Sequence, residues 1–350
     1  MIRVGIVGSN FGRAVQLPAF RSDPRCAVVA LAGRDPAKTA QSARDAGIPR
    51  AMAWADLVAD PGIDAVAIAV PPQLQPQVAI AALRAGKAVF VEKPLAATLD
   101  DAEAVRAQAQ ASGRPLVIDF EFPELPAFRR ARALLEDGAL GAPRHIAATW
   151  HVENQATRLR LKSWKTDGAQ GGGVLGNFVS HCLHYLEWLG GPIRDLSAQL
   201  FGLPEDDRPQ RAASARSVAL SGTFASGAAF SLTMSCASYL GSGHRIECYG
   251  EDGTLTLTNT TADYIRGFVL HHARRPAAAL AALDTPDPDD RPENDGRVAP
   301  VARLVRRFLD AIEGGPPPTP GLAEALRVQA LIAAALRSHH AGAASITVDA

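Results

Sequence analysis

The sequence predicts an α/β protein of two domains: an N-terminal doubly wound parallel sheet, then an α+β domain with a mainly antiparallel open sheet. Three observations carry this. The first 120 residues alternate short, near-continuous apolar runs with helix-like stretches. A glycine-bearing turn follows the first of those runs. From about Ser217 the pattern changes to strands separated by turn residues. These set domain boundaries at 1–120 and 121–350, and 350 residues suffice for two cores.

Taken in order, Ile2–Val7, Ala27–Ala32, Ala65–Val70 and Ala88–Val91 read as parallel strands buried on both faces. Pro36–Ala46 and Gln75–Ala85 read as helices, the second closed by Gly86. Leu125–Asp137 reads as a helix ending at Gly138, and Gly173–Leu189 as another. The runs SVALSGTF, AAFSLTMS, HRIECYG and GTLTLTN form the antiparallel set, joined by turns such as Glu251-Asp252-Gly253. Arg274–Arg297, rich in Pro, Asp and Ala, reads as a surface loop. Helices over Val298–Ile312 and Leu322–Ser338 and a strand over Ser345–Val348 complete the pattern.

Hydrophobic residues make up 47% and charged residues 21%, the balance of a globular chain. Thirty-six basic residues cancel thirty-six acidic ones, so no long-range field draws nucleic acid or an anionic membrane. No run of about 18 apolar residues is present to span a bilayer. The four cysteines lack CxxC spacing and read as free thiols in a reducing, cytoplasmic compartment.

Gly8-Ser9-Asn10-Phe11-Gly12 follows the first strand and opens a helix, where backbone N–H groups can meet a dinucleotide pyrophosphate. Asn10 and Arg13 hold the second and third glycine positions of the usual pattern; Asn tolerates left-handed backbone angles. A purely structural βα turn is the alternative. The second strand ends in Ala32-Gly33-Arg34-Asp35, with Lys38 a turn later. A small residue followed by Arg leaves room for a ribose 2′-phosphate and offers a bidentate donor, which favours NADP(H) over NAD(H). Alternatively, Arg34 and Lys38 are solvated charges and Asp35 takes the ribose.

Three further segments resemble the Gfo/Idh/MocA oxidoreductases, the glucose–fructose oxidoreductase and inositol dehydrogenase family. These are Val70-Pro71-Pro-Gln-Leu-Gln75, the run AGKAVFVEKP that ends Glu92-Lys93-Pro94, and GGGVLGNFVSH, which carries Asn177 and His181. The resemblance spans essentially the whole chain in order. It implies a Rossmann domain, a second domain whose open sheet mediates homodimer or homotetramer contacts, a nicotinamide cofactor, and a small polyhydroxylated substrate such as a sugar or cyclitol. It implies cofactor contacts at Gly8 to Gly12, Gly33, Arg34, Lys38, Val70, Pro71, Gln75, Glu92, Lys93 and Trp164, and substrate contacts at Lys93, Glu121, Asn177, His181 and His184.

Lys93 sits where apolar walls and an oxidised nicotinamide disfavour its charged form, so it can exchange a proton with a substrate oxygen. Glu92 orients Lys93, contacts ribose, or simply faces solvent. Asn177, His181, His184 and Trp188 fall at i, i+4, i+7 and i+11, one helical face that reads as a wall of the substrate pocket. His181 is the second acid/base candidate, against the reading of a structural histidine. Asn177 stands where the family has Asp and cannot carry a proton between states. Gln75 replaces the family's His, and Pro123 its Arg. These departures keep open two other functions: a cofactor-binding sensor without turnover, and a glycosidase that uses NAD transiently. A metal site is a poor reading, since Asn177 is a weak ligand and nothing with suitable spacing completes a set.

Overall fold

The computed structural model describes residues 1–203 and 212–349. They divide into two compact units, Met1–Glu121 with Asp289–Gln329, and Phe122–Pro288 with Ala330–Ala350.

In the first unit six strands form one parallel sheet: β1 (Ile2–Val7), β2 (Cys26–Ala32), β3 (Arg50–Met52), β4 (Ala65–Ile68), β5 (Ala88–Glu92) and β6 (Leu116–Asp119). Their order is β3-β2-β1-β4-β5-β6. The order reverses between β1 and β4, the switch point at which open sheets leave a crevice beyond their carboxyl ends. β4 is buried at every position, as a strand covered on both faces requires. The crossover helices are α1 (Leu17–Arg21), α2 (Pro36–Asp45), α3 (Trp54–Ala59), α4 (Gln75–Arg84) and α5 (Leu99–Ser112). Asp35 starts α2 by accepting the Lys38 backbone N–H at 3.1 Å, and Thr98 caps α5 in the same way through Asp101.

The second unit is built on a nine-stranded sheet. Its strands are β7 (Pro143–His151), β8 (Ile193–Phe201), β9 (Ser217–Phe224), β10 (Ala229–Ser235), β11 (Gly243–Gly250), β12 (Gly253–Asn259), β13 (Val269–Arg274), β14 (Ala281–Leu283) and β15 (Ile346–Thr347). The order is β14-β13-β12-β11-β7-β10-β9-β8-β15. Every pair is antiparallel except β7 with β10. α6 (Pro126–Glu136), α7 (Gln155–Arg158) and α8 (Ser180–Gly190) belong to this unit. α6 and α8 supply Phe128, Leu183 and Tyr185 to its core.

The chain then returns to the first unit through α9 (Val298–Ile312) and leaves along α10 (Leu322–His340). This differs from a single boundary at residue 120. The cause is apolar: Val301, Leu304, Val305, Phe308 and Leu309 of α9 join the core of the parallel sheet. Phe308 meets Phe20 and Phe90 edge-on at 6.3 and 5.8 Å, and Phe20 and Phe90 pack at 5.6 Å. The stretch before α9, read as a surface loop, contains β14 paired to β13 and is pinned by Asp289, which pairs with Arg303 at 3.1 Å and Arg306 at 3.4 Å. Removing a ring from that triad leaves a cavity. Phe308→Ala is therefore expected to lower the unfolding free energy by about 3–5 kcal/mol in denaturant titration. A loss below about 1 kcal/mol would show that α9 adds little to this core.

Candidate active site

Turns after β1, β2, β4 and β5 gather at the carboxyl edge of the parallel sheet. Gly8 takes φ +126°, and a Cβ on it would lie 2.2 Å from the Ala69 carbonyl oxygen, so only glycine lets this turn cross the β4 end. Ser9 and Phe11 are partly buried, Asn10 is exposed, and Gly12 opens a π-helical turn that runs to Gln16. This glycine-lined turn facing a crevice fits a dinucleotide pyrophosphate. Gly33 follows the end of β2; Arg34 and Lys38 are exposed beyond it, while Asp35 is engaged by the α2 cap. Val70 and Pro71 line the turn after β4, and the Pro71 carbonyl accepts the Leu74 N–H.

Gln75 is wholly buried, and its Nε2 donates to the carbonyls of Glu92 at 2.8 Å and Pro94 at 2.6 Å. Its side chain therefore holds the Glu92-Lys93-Pro94 turn from below, in which the Lys93–Pro94 peptide is cis. Lys93 is partly buried at the end of β5. Around it the fold collects carboxyl groups. Glu92 and Asp119 are register partners across β5 and β6. Asp119 is 1% and Glu121 4% exposed. Burial pushes the Glu92 carboxyl up to about 7, with Glu121 adding to the rise and a bond from Asp119, Lys93 and Arg297 opposing it; burial pushes Glu121 to about 8, with Asp119 adding and Lys93 and Arg297 opposing. Asp119 is raised for the same reasons, burial first and then Glu92.

Asp119 and Arg297 are site residues that sequence reasoning missed. Arg297 stands at the start of α9, with its guanidinium 5.0 Å above the Phe11 ring and paired to Asp295 at 2.6 Å. No sequence signal links residue 297 to the turn at residue 11. Asp119 had a weak signal, as an acid closing an apolar strand.

The second unit holds Trp164, Asn177, His181 and His184. The glycine triplet is a close-approach turn: a Cβ on Gly172 would meet the Trp164 carbonyl oxygen at 1.9 Å. Asn177 Nδ2 donates to the carbonyls of Lys165 at 2.7 Å and Gly173 at 3.0 Å, fixing the Trp164–Lys165 segment. Lys165 lies 5.9 Å from the Trp164 ring centre. Leu175–Val179 is a π-helical turn that leads into α8, so regular α spacing does not by itself relate Asn177 to His181. Trp188, expected on that same face, packs under Arg132 of α6 at 5.7 Å. His181 and His184 are both buried. Burial takes His184 down to about 3, so it is a neutral imidazole.

His181 lies edge-on to Phe122 at 5.0 Å. Phe122 is a hub: Phe128, Trp150, Tyr185 and His244 all pack within 6 Å of its ring centre. His244 stacks on Trp150 at 4.4 Å and bonds the Tyr185 hydroxyl at 2.9 Å. These rings fix the orientation of the helix that carries His181.

Comparison with known proteins agrees with this layout. Residues 2–120 match the model of an oxidoreductase family with an NAD-binding Rossmann fold, and residues 128–256 match the GFO/IDH/MocA C-terminal domain. An uncharacterized oxidoreductase of Synechocystis sp. is 32% identical over 97% of this chain and 94% of its own. A levoglucosan dehydrogenase of Pseudarthrobacter phenanthrenivorans is 29% identical over 57% of this chain and 54% of its own. Among solved structures, levoglucosan dehydrogenase in complex with NADH and levoglucosan shares the fold at a TM-score of 0.87, with 21% identity and full coverage of both chains. An NAD binding oxidoreductase from Klebsiella pneumoniae aligns at 0.84, 25% identical over 100% of this chain and 99% of that one. With both family domains in place on a parallel sheet and a mostly antiparallel one, this chain belongs to the Gfo/Idh/MocA oxidoreductases.

Proposed function

We propose that the chain is an NADP-preferring dehydrogenase or reductase that moves a hydride between nicotinamide and a CH–OH or C=O carbon of a sugar, cyclitol or related ketone. The observation that carries this is Lys93 at the carboxyl edge of the parallel sheet, set in a turn clamped by Gln75 and surrounded by buried carboxyls. The first unit holds the nucleotide through Gly8, Ser9, Asn10, Phe11 and Gly12, with Gly33, Val70 and Pro71 beside it. Asn177, His181 and His184 are the groups proposed for the substrate. The dehydrogenase names of several relatives, acting on levoglucosan and on ring diols, support the substrate class.

When bound, the nicotinamide supplies a hydride donor or acceptor. The residues of this chain handle the proton. Lys93 takes it from the substrate hydroxyl in oxidation and returns it in reduction; His181 is the second group for that oxygen. Asn177, whose NH2 is held by two backbone carbonyls, positions rather than titrates. The preference for NADP rests on Arg34 and Lys38, exposed beyond β2, and on Asp35, whose carboxylate serves the α2 cap. The outer face of the nine-stranded sheet, which carries Tyr249 and Val269 exposed at 36% and 45%, is the surface by which copies pair as a homodimer or homotetramer.

Fluorescence titration is expected to show NADPH binding at least tenfold tighter than NADH, with Arg34→Asp reversing the order. Equal affinities would overturn the NADP reading, and no binding of either would overturn the function. With keto-sugars or polyols as probes, Lys93→Met is expected to lower kcat by about 10²–10⁴ while leaving nucleotide affinity within a few-fold. Nucleotide binding without turnover on any such probe would instead make the chain a sensor of the same fold. Light scattering at micromolar concentration is expected to give at least twice the 36.8 kDa chain mass. A monomer mass rejects the pairing face.

A further inference from the structure

Three carboxyl groups and two cations meet at the end of β5 and β6. Parallel register sets the partly buried Glu92 beside the buried Asp119, and two residues further on Glu121 is buried too. Lys93 and Arg297 are the charged groups that act on all three, from the turn after β5 and from the start of α9. Among the described residues no N–H or hydroxyl donor reaches either Asp119 oxygen or Glu92 Oε1, all three atoms are out of contact with water, and the partner for each carboxyl is the other one. Arg297 is already paired with Asp295, so three ionised carboxylates facing Lys93 and that shared guanidinium leave an excess negative charge, and Asp119 and Glu121 are buried with Glu92 only partly exposed. A proton shared among the carboxyls removes that charge and turns the repulsion between Glu92 and Asp119 into attraction.

We propose that Glu92, Asp119 and Glu121 are positioning residues that act as a proton store for Lys93, taking up a proton from it so that it can accept one from substrate, and handing one back in the reverse direction. The proposal rests on the oxidoreductase reading above and extends it. In oxidation an N–H bond of the Lys93 ammonium breaks and an ionised carboxylate of the cluster gains that proton, which leaves a neutral amine. The substrate O–H bond then breaks and its proton goes to that amine, restoring the ammonium, while a bound oxidised nicotinamide would supply the two-electron acceptor, so no further oxidant is required. The fold thereby supplies a proton acceptor without opening the site to water. The sign follows from the raised carboxyls. An ionised member able to accept appears as pH rises through about 7 to about 8, and a protonated member able to donate dominates below that range. Oxidation therefore gains from the cluster above this window, and reduction below it.

Infrared spectroscopy of the nucleotide-free full chain tests this directly, because a protonated carboxylic acid in dry surroundings has its own carbonyl stretch. The wild type is expected to show that band at pH 6 and to lose part of its intensity as pH passes from about 7 to about 8, where Glu92 and Glu121 ionise, the remainder belonging to the more strongly raised Asp119. Lys93→Met removes a cation and is expected to move the loss upward by roughly one unit or more. Glu121→Gln and Asp119→Asn are each expected to diminish the band and shift what remains downward. A purely structural cluster would not answer to Lys93. Absence of the band at pH 6, or a midpoint unmoved by Lys93→Met, overturns the proposal. Should a Gln or Asn variant fail to fold by circular dichroism, the wild type and Lys93→Met still decide it. The readout needs no nucleotide, so failure to bind NADP or NAD would sink the functional reading separately.

Discussion

Two carboxyl groups set side by side without water cannot both remain charged, and this constraint organises the carboxyl edge of the parallel sheet. Register alone puts Glu92 next to Asp119. Everything nearby answers to that placement. Gln75, itself buried, uses both amide hydrogens on the carbonyls of the same turn, which keeps Lys93 beside the acids. Arg297 arrives from a helix nearly two hundred residues later in the chain to add a second cation. A site that holds charge this tightly has a pH response built into its ground state, before any ligand is considered.

Helix α9 links this electrostatic arrangement to stability. Its apolar side completes the core under β5 through Phe308, Phe20 and Phe90, and its first residue neighbour, Arg297, covers the ring of Phe11 in the glycine turn. Apolar burial therefore fixes where the guanidinium stands; the cation–π contact and the Asp295 pair refine it. In the second unit the same division of labour recurs. Phe122 gathers Phe128, Trp150, Tyr185 and His244, and the packed rings set the angle of α8 on which His181 rides. The two neutral histidines there, His184 and His244, are kept uncharged by burial and cost no unpaired charge in the core.

Strand and helix positions were legible wherever local pattern and burial agree. β1 and α9 fall on the expected residues, and α2, α4 and α6 differ from expectation by about one residue at an end. The glycine turn was legible because φ +126° and a 2.2 Å approach tolerate nothing larger. The π turn inside the Gly173–Leu189 stretch was not legible for a specific reason. A π turn adds a residue to one cycle of the helix, so α spacing no longer relates Asn177 to His181. Trp188 then finds its partner in Arg132, which no sequence spacing could announce.

By itself the sequence determined the elements that short-range chemistry controls: apolar runs for parallel strands, a glycine where the backbone must cross a strand end, Lys93 at a strand terminus, and the motif order that marks the family. Tertiary structure decided what depends on residues distant in sequence. It paired Asp119 with Glu92, brought Arg297 to Phe11, and returned residues 289–329 to the first unit. The physical reason is range. Hydrophobic periodicity and φ preferences are properties of a few consecutive residues, whereas the charge state of a buried carboxyl is set by whichever groups folding places around it.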